Sequence, residues 1–359
     1  MDGKDVHTHE ALVALEAAGR AFSLWSTTKP PFRRDIFLKA ADILDRRAGE
    51  CKWYMVQEIG AHAHFTQFNL ATAAEILRDV AGRISSALSG IVPVCQEQGT
   101  HALVVKEPYG VVLGIAPWDA PYILGIRAVA YALAAGDTCI LKGSEFSPRC
   151  FWVIGSVFRD AGLRDGCLNV IYHRPEDAAE ITTMLIEHPA VKKIDFTGST
   201  VVGSIIAGTA GRNLKPVLRE LGSKNNAIMC EDAHLEKAAQ QCALGAFLHA
   251  GQICMSTERI LVHENAIEQF TQKLKKAISA TFDDVTANQA LAQPAGVNKA
   301  YSVAARIETG AVHVNSMSIH DEAGLPHGGA KKSGRGRFNA QAGLDEFLGA
   351  KTITFQTEW

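Results

Sequence analysis

A chain of 359 residues with 47% hydrophobic and 21% charged residues is long enough for two domains, and its composition excludes a disordered protein. Thirty-six Lys and Arg against 38 Asp and Glu leave a formal charge of −2. Neither a nucleic-acid binder driven by bulk positive charge nor a polybasic membrane binder is expected.

The opening MDGKDVHTHE lacks the apolar run of a secretory signal. Apolar residues then recur at helical spacing over 9–25, 32–47 and 71–88, with Pro30 and Pro31 breaking the first run and Gly60 punctuating the rest. At 91–105 the pattern changes to two short β-rich runs, IVPV and HALVV, around a polar turn, which reads as a hairpin over 89–105. The run YGVVLGI at 109–115 suits a buried parallel strand. Strands follow at 137–142 (DTCILK), 169–172 and 193–196, separated by helical segments near 124–135 and 150–161. Strands alternating with helices imply βαβ units and a parallel sheet covered by helices. The apolar region from 110 to 141 is interrupted by Pro117, Asp119, Pro121 and Arg127, so no membrane span is expected there. Eight cysteines without a CxxC pair make no disulfide framework and fit a reduced, cytoplasmic protein, with no metal centre expected.

Four segments carry chemistry. In 196–203, Phe196, Thr197, Gly198, Ser199, Thr200, Val201, Val202 and Gly203 leave a strand, turn at glycine and open a helix. Backbone amides at such a helix start form a phosphate site, although the same pattern also serves as a plain N-cap. Lys142, Ser144 and Glu145 in LKGSE also follow a strand, where nucleotides bind in open α/β sheets; the bland reading is an exposed charged loop. Glu220, between apolar residues in VLRELGSKN, is either a general base or one half of an ion pair with Arg219 or Lys224. Cys254, in GQICMST, is the cysteine in a Gly/Ser/Thr setting that a substrate could reach, against the common alternative of an inert thiol.

Taken together, the order and spacing of these segments resemble the aldehyde dehydrogenase superfamily, and the wording looks most like its vanillin and salicylaldehyde dehydrogenase branch. The matches are GVVLGIAPWDAP (110–121), LKGSE (141–145), FTGSTVVG (196–203), LRELGSKN (218–225), GQICMSTER (251–259), VHVNS (312–316) and the closing LPHGGAKKSGRGRFNAQAGLDEF (325–347). The resemblance implies that Cys254 attacks the aldehyde carbonyl, that the thiohemiacetal gives hydride to NAD or NADP, and that Glu220 activates the water that hydrolyses the thioester. It places residues 196–203 at the pyrophosphate, Lys142, Ser144 and Glu145 at the ribose, and Ile115, Ala116, Pro117 and Trp118 beside the nicotinamide, with Leu221 and Gly222 nearby. Glu145 favours NAD by repelling a 2′-phosphate, while Lys142, which can donate to such a phosphate, leaves NADP open.

The expected fold is α/β. A Rossmann-like nucleotide domain covers 1–220, an incomplete catalytic domain 221–346, and a C-terminal strand 347–359 pairs with the hairpin as a small oligomerisation element. A small-molecule aldehyde and a second copy of the chain are the partners this implies. Two departures bear on activity. Asp119 stands where the family has an oxyanion-donating asparagine, and an ionised aspartate donates nothing. Asn315 lies only 61 positions after Cys254, a spacing shorter than the family's by a domain-scale stretch that includes the clamp on the nicotinamide ribose. The tract 281–300, TFDDVTANQALAQPAGVNKA, reads as loop in its place. An impaired relative that binds nucleotide, or pairs with an intact homologue, is the alternative to an active enzyme.

Overall fold

The computed structural model describes residues 3–283 and 297–357. Four helices come first: α1 (Gly3–Trp25), α2 (Pro30–Arg46), α3 (Ala48–Ile59) and α4 (Ala63–Ala87). Pro30 and Pro31 open α2, where a missing N–H costs nothing and φ is already helical. Ile36, Phe37, Ala40, Ala41 and Leu44 form its buried stripe, facing α4. Gly60, at φ 63°, ends α3 in the left-handed region.

The α/β part follows as β1 (Thr100–Pro108), β2 (Val111–Ile115), α5 (Pro121–Ala135), β3 (Thr138–Lys142), α6 (Pro148–Asp160), β4 (Leu168–Ile171), α7 (Ala178–Glu187), β5 (Val191–Gly198), α8 (Thr200–Arg212) and β6 (Val217–Leu221). The second half of the chain adds β7 (Asn225–Met229), α9 (Leu235–Phe247), β8 (Thr257–Val262), α10 (Ile267–Ile278), α11 (Val297–Ala304), β9 (Gly334–Arg335), α12 (Ala340–Asp345) and β10 (Leu348–Gln356). The main sheet runs β4-β3-β2-β5-β6, with the two residues of β9 at its edge. In it β2 pairs in parallel with β3 and β5, and β3 with β4. Every residue of β2 and of α5 is buried, as a parallel strand covered on both faces requires. A Cβ on Gly114 of β2 would lie 2.6 Å from the Ala128 carbonyl oxygen, so glycine is what lets α5 settle onto the sheet.

The chain divides into two compact units. The first holds the residues up to Glu220 together with Glu322–Gly328 and Arg335–Trp359; the second holds Leu221–Asp321 and Gly329–Gly334. The second unit is built on a two-stranded parallel sheet, β7 with β8, in which Ile228 faces Leu261. Met229, Ala239, Cys242, Ala243, Phe270 and Ala277 form its core under α9 and α10. No described helix is long and apolar enough to cross a membrane.

The structure corrects three expectations. The run IVPV is not a strand: Ile91 makes a single antiparallel bridge to Val104, and Val92 and Val94 stand exposed around Pro93. Strand β1 instead pairs along its length with β10, Thr100 opposite Gln356 through Pro108 opposite Leu348. Residues 322–328 and 335–346 belong to the first unit, not to a catalytic domain running through 346. The Tyr131 hydroxyl donates to Asn339 Oδ1 at 3.2 Å, and the Arg127 guanidinium lies 5.5 Å from the centre of the Phe338 ring, so side chains of α5 hold this return segment. Finally, 281–300 is not all loop: Ser279–Asp283 and Val297–Ala304 are helical, and 284–296 lies outside the described residues.

Candidate active site

The carboxyl ends of β3, β2 and β5 are neighbours in the sheet, and each carries one of the motifs read as nucleotide-binding. Ile115 and Ala116 are buried at the end of β2, and Pro117 and Trp118 are half-buried beyond it. Lys142, the last residue of β3, forms an ion pair with Glu145 at 3.5 Å. Burial pushes the Lys142 pKa down, and Glu145 opposes that shift. Ser144 is occupied locally, since its Oγ accepts from the Phe146 amide at 3.3 Å. On β5, Phe196 and Thr197 are buried and lead into Gly198. A Cβ there would lie 2.6 Å from the Phe196 ring, which keeps the turn backbone bare. Ser199 caps α8, its Oγ accepting from Val202 N at 3.2 Å. The start of α8, with Thr200, Val201 and Val202 ahead of buried Gly203, directs first-turn amides outward as an anion site does. A bare glycine turn and a capped helix start after β5, with a Lys/Glu pair after β3 on the other side of β2, suit a dinucleotide: amides for pyrophosphate, a carboxylate for ribose hydroxyls.

Two carboxylates lie in the same unit. Asp119 sits in the turn between β2 and α5 and is half-buried. Desolvation pushes its pKa up to about 6, against the backbone amides of Asp119 and Ala120, which hold it down. Glu220, near the end of β6, is only 6% exposed. Its Oε1 lies 3.6 Å from His327 Nε2, and its Oε2 has no hydrogen-bond partner among the described residues. An acceptor left open on a buried carboxylate is what a general base needs to receive a proton from water. His327 belongs to the closing LPHGG motif, so the motif was visible, but its place beside Glu220 was not.

In the second unit Cys254 occupies the turn that leads into β8. Its carbonyl oxygen accepts from Ser223 Oγ at 2.8 Å and from Asn225 Nδ2 at 3.1 Å. The approach to this turn is strained: His249 and Ala250 have φ of 50° and 54°, in the left-handed region that side chains with a Cβ disfavour. Five other thiols, Cys51, Cys139, Cys150, Cys167 and Cys242, are buried, and desolvation raises the pKa of each. They are poor nucleophiles. Cys95 and Cys230 are half-exposed like Cys254, but only Cys254 has its backbone held by two side chains among the hydrogen bonds described. Leu221 is buried and Gly222 exposed just ahead of Ser223. Both clamp residues belong to the LGSKN motif, whose contact with the cysteine turn spans about thirty positions and is illegible in sequence. Among the described residues, no group of three or more His, Cys, Asp or Glu could hold a metal ion.

Known proteins resemble this chain in sequence and in fold. The model of the aldehyde dehydrogenase family matches residues 3–290 and 283–353. Vanillin dehydrogenase of Pseudomonas fluorescens is 35% identical over 435 aligned positions, which cover 97% of this chain and 90% of that protein. Salicylaldehyde dehydrogenase of Pseudomonas putida is 30% identical, with 97% and 90% covered. The crystal structure of a salicylaldehyde dehydrogenase from Pseudomonas putida G7, complexed with salicylaldehyde, superposes with a TM-score of 0.91 at 29% identity, over 98% of this chain and 91% of that one. The chain thus belongs to the aldehyde dehydrogenase family, and it oxidises an aldehyde to a carboxylic acid with NAD or NADP.

Proposed function

We propose that the substrate is an aromatic aldehyde, that NAD is the preferred acceptor, and that Cys254, Glu220 and residue 119 are the groups at the reacting carbonyl. The observation that carries the reading is the Cys254 turn, a half-exposed thiol whose backbone is pinned by Ser223 and Asn225. The relatives named for vanillin and salicylaldehyde support the aromatic substrate, and Glu145 supports NAD. When bound, the nicotinamide accepts hydride. Cys254 adds its sulfur to the aldehyde carbon, departure of that carbon's hydrogen as hydride leaves a thioester, Glu220 removes a proton from the water that cleaves the thioester, and Cys254 leaves with the electron pair of the C–S bond. Residue 119 faces the developing oxyanion. With a pKa of about 6, Asp119 is about nine-tenths ionised at pH 7, so it withholds the hydrogen bond that asparagine would donate.

An internal excision is part of this reading. The family model meets the chain in two segments that join at 283–290, and an alignment of 435 positions spans a chain of 359 residues. Both support the loss of the stretch that includes the clamp on the nicotinamide ribose, which leaves binding less affected than catalysis. The ribbon of β1 and β10, exposed along most of β10, supports a homo-oligomer, since an isolated two-stranded sheet is marginal in water. A second reading, a nucleotide-binding relative with little turnover, is favoured by Asp119 and by the excision. Following NADH formation and ester hydrolysis with benzaldehyde-type and aliphatic substrates separates the two. Turnover of both reactions that disappears in Cys254→Ala supports the enzyme, and NAD binding without turnover supports the relic.

A further inference from the structure

The ends of β3 and β4 hold a buried polar group that the nucleotide motifs do not account for. His173 follows β4 by two residues and is 5% exposed. Lys142 is paired with Ile171 in the ladder, and Gly143 N donates to Ile171 O at 3.2 Å. The imidazole therefore lies by the Lys142–Glu145 loop and feels both charges. Its Nδ1 is 3.0 Å from the carbonyl oxygen of Arg174. A carbonyl oxygen only accepts, so Nδ1 carries the proton and Nε2 presents its lone pair. That Nε2 is shielded from water and has no hydrogen-bond partner among the described residues. Burial, with Lys142 adding to it, moves the ring's pKa below the usual histidine value, so the ring is neutral and Nε2 stays an acceptor at neutral pH. A buried acceptor without a donor is unfavourable and is accounted for when a ligand brings the donor.

We propose that His173 is a specificity-determining residue of the nucleotide site: its Nε2 accepts a hydrogen bond from an adenosine-ribose hydroxyl and favours NAD over NADP. The proposal rests on the reading of Glu145 as ribose-facing. Glu145 and Nε2 are two acceptors at one corner, and they match hydroxyl donors. A 2′-phosphate is largely a dianion at neutral pH, so it brings negative charge against both. Lys142, the cation beside them, is already paired with Glu145.

Calorimetric titration of the full chain with NAD and with NADP tests this without requiring turnover. The parent should bind NAD more tightly. His173→Leu should weaken NAD about three- to tenfold, the worth of one net hydrogen bond, and leave NADP nearly unchanged. His173→Asn, whose amide oxygen accepts, should restore the preference for NAD. His173→Lys, an independent variant, should move the ratio of affinities toward NADP by about tenfold or more. Equal losses for both cofactors in His173→Leu, or an unchanged ratio in His173→Lys, would overturn the proposal. Glu145→Gln distinguishes it from the reading beneath it. If Glu145→Gln shifts the ratio and the His173 variants do not, the ribose site stands and His173 falls. If neither shifts it, both fall.

Discussion

The two units bury their parallel strands to different depths. In the first, all of β2 and α5 is buried, and three strand ends present motifs side by side. In the second, β7 and β8 form a pair whose residues Asn226, Ile228, Arg259 and Leu261 remain exposed. A strand buried on both faces gains apolar burial from each, whereas a half-covered pair gains it from one. The first unit therefore gives the motifs at its strand ends the more deeply buried frame. The second carries Cys254 on a turn whose carbonyl oxygen is held by two side-chain hydrogen bonds.

Experiments can break or sharpen this contrast. The largest effect is expected at the thiol: Cys254→Ala should lower aldehyde oxidation and ester hydrolysis by at least about 10³-fold, with NAD binding retained in calorimetry. Full activity in that variant would remove Cys254 from the chemistry. Next is the core of the first unit. Phe151 is fully buried in α6, and its ring fills the space a Cβ would need at Gly125 and Gly143. Phe151→Ala should cost about 3–5 kcal/mol in denaturant unfolding, and it should loosen the loop that holds Lys142 and Glu145. A cost under about 1 kcal/mol would mean this core is not tightly packed.

Asp119→Asn comes third. Restoring a donor should raise kcat/KM by up to about 10²–10³-fold at pH 7–8. The parent carboxyl gains its own proton as pH falls through about 6, so the advantage of asparagine should shrink below that pH. No gain with NAD still bound would show that the rate is limited elsewhere than at residue 119. A loss would make Asp119 a working acid or base.

The smallest effect concerns Asp137, whose Oδ1 accepts from Gly110 N at 2.8 Å and whose pKa burial pushes up to about 8. An unfolded aspartate releases its proton near pH 4, and the folded one keeps it to about pH 8. The folded state thus binds more protons across this window, so stability falls as pH rises from about 4 to about 8. Asp137→Asn keeps an acceptor for Gly110 and removes the titration. Its Tm should exceed the parent's at pH 8, by an amount on the order of 1–3 kcal/mol in stability, and match it near pH 4. A gain independent of pH would refute the titration.

How much of this was legible follows from the same contrast. The runs YGVVLGI and DTCILK declare β2 and β3 because strands covered on both faces are continuously apolar. The segments VLREL, NNAIM and TERILV mix polar and apolar residues, so β6, β7 and β8 left no such mark. The run IVPV is apolar yet exposed, and it misled as a strand. The clamp on Cys254, His327 beside Glu220 and the return of Asn339 to Tyr131 join positions about 30 to 200 apart, a relation that no local pattern encodes. His173 sits in YHRPED, where a lone histidine carries no signal until its ring nitrogens are assigned partners.

The most direct test is NADH formation by the full chain with a benzaldehyde-type aldehyde and saturating NAD. The account predicts slow but measurable NADH release that stops in Cys254→Ala. NADH formation that persists in Cys254→Ala, or none at all from a parent shown by calorimetry to hold NAD, would contradict it.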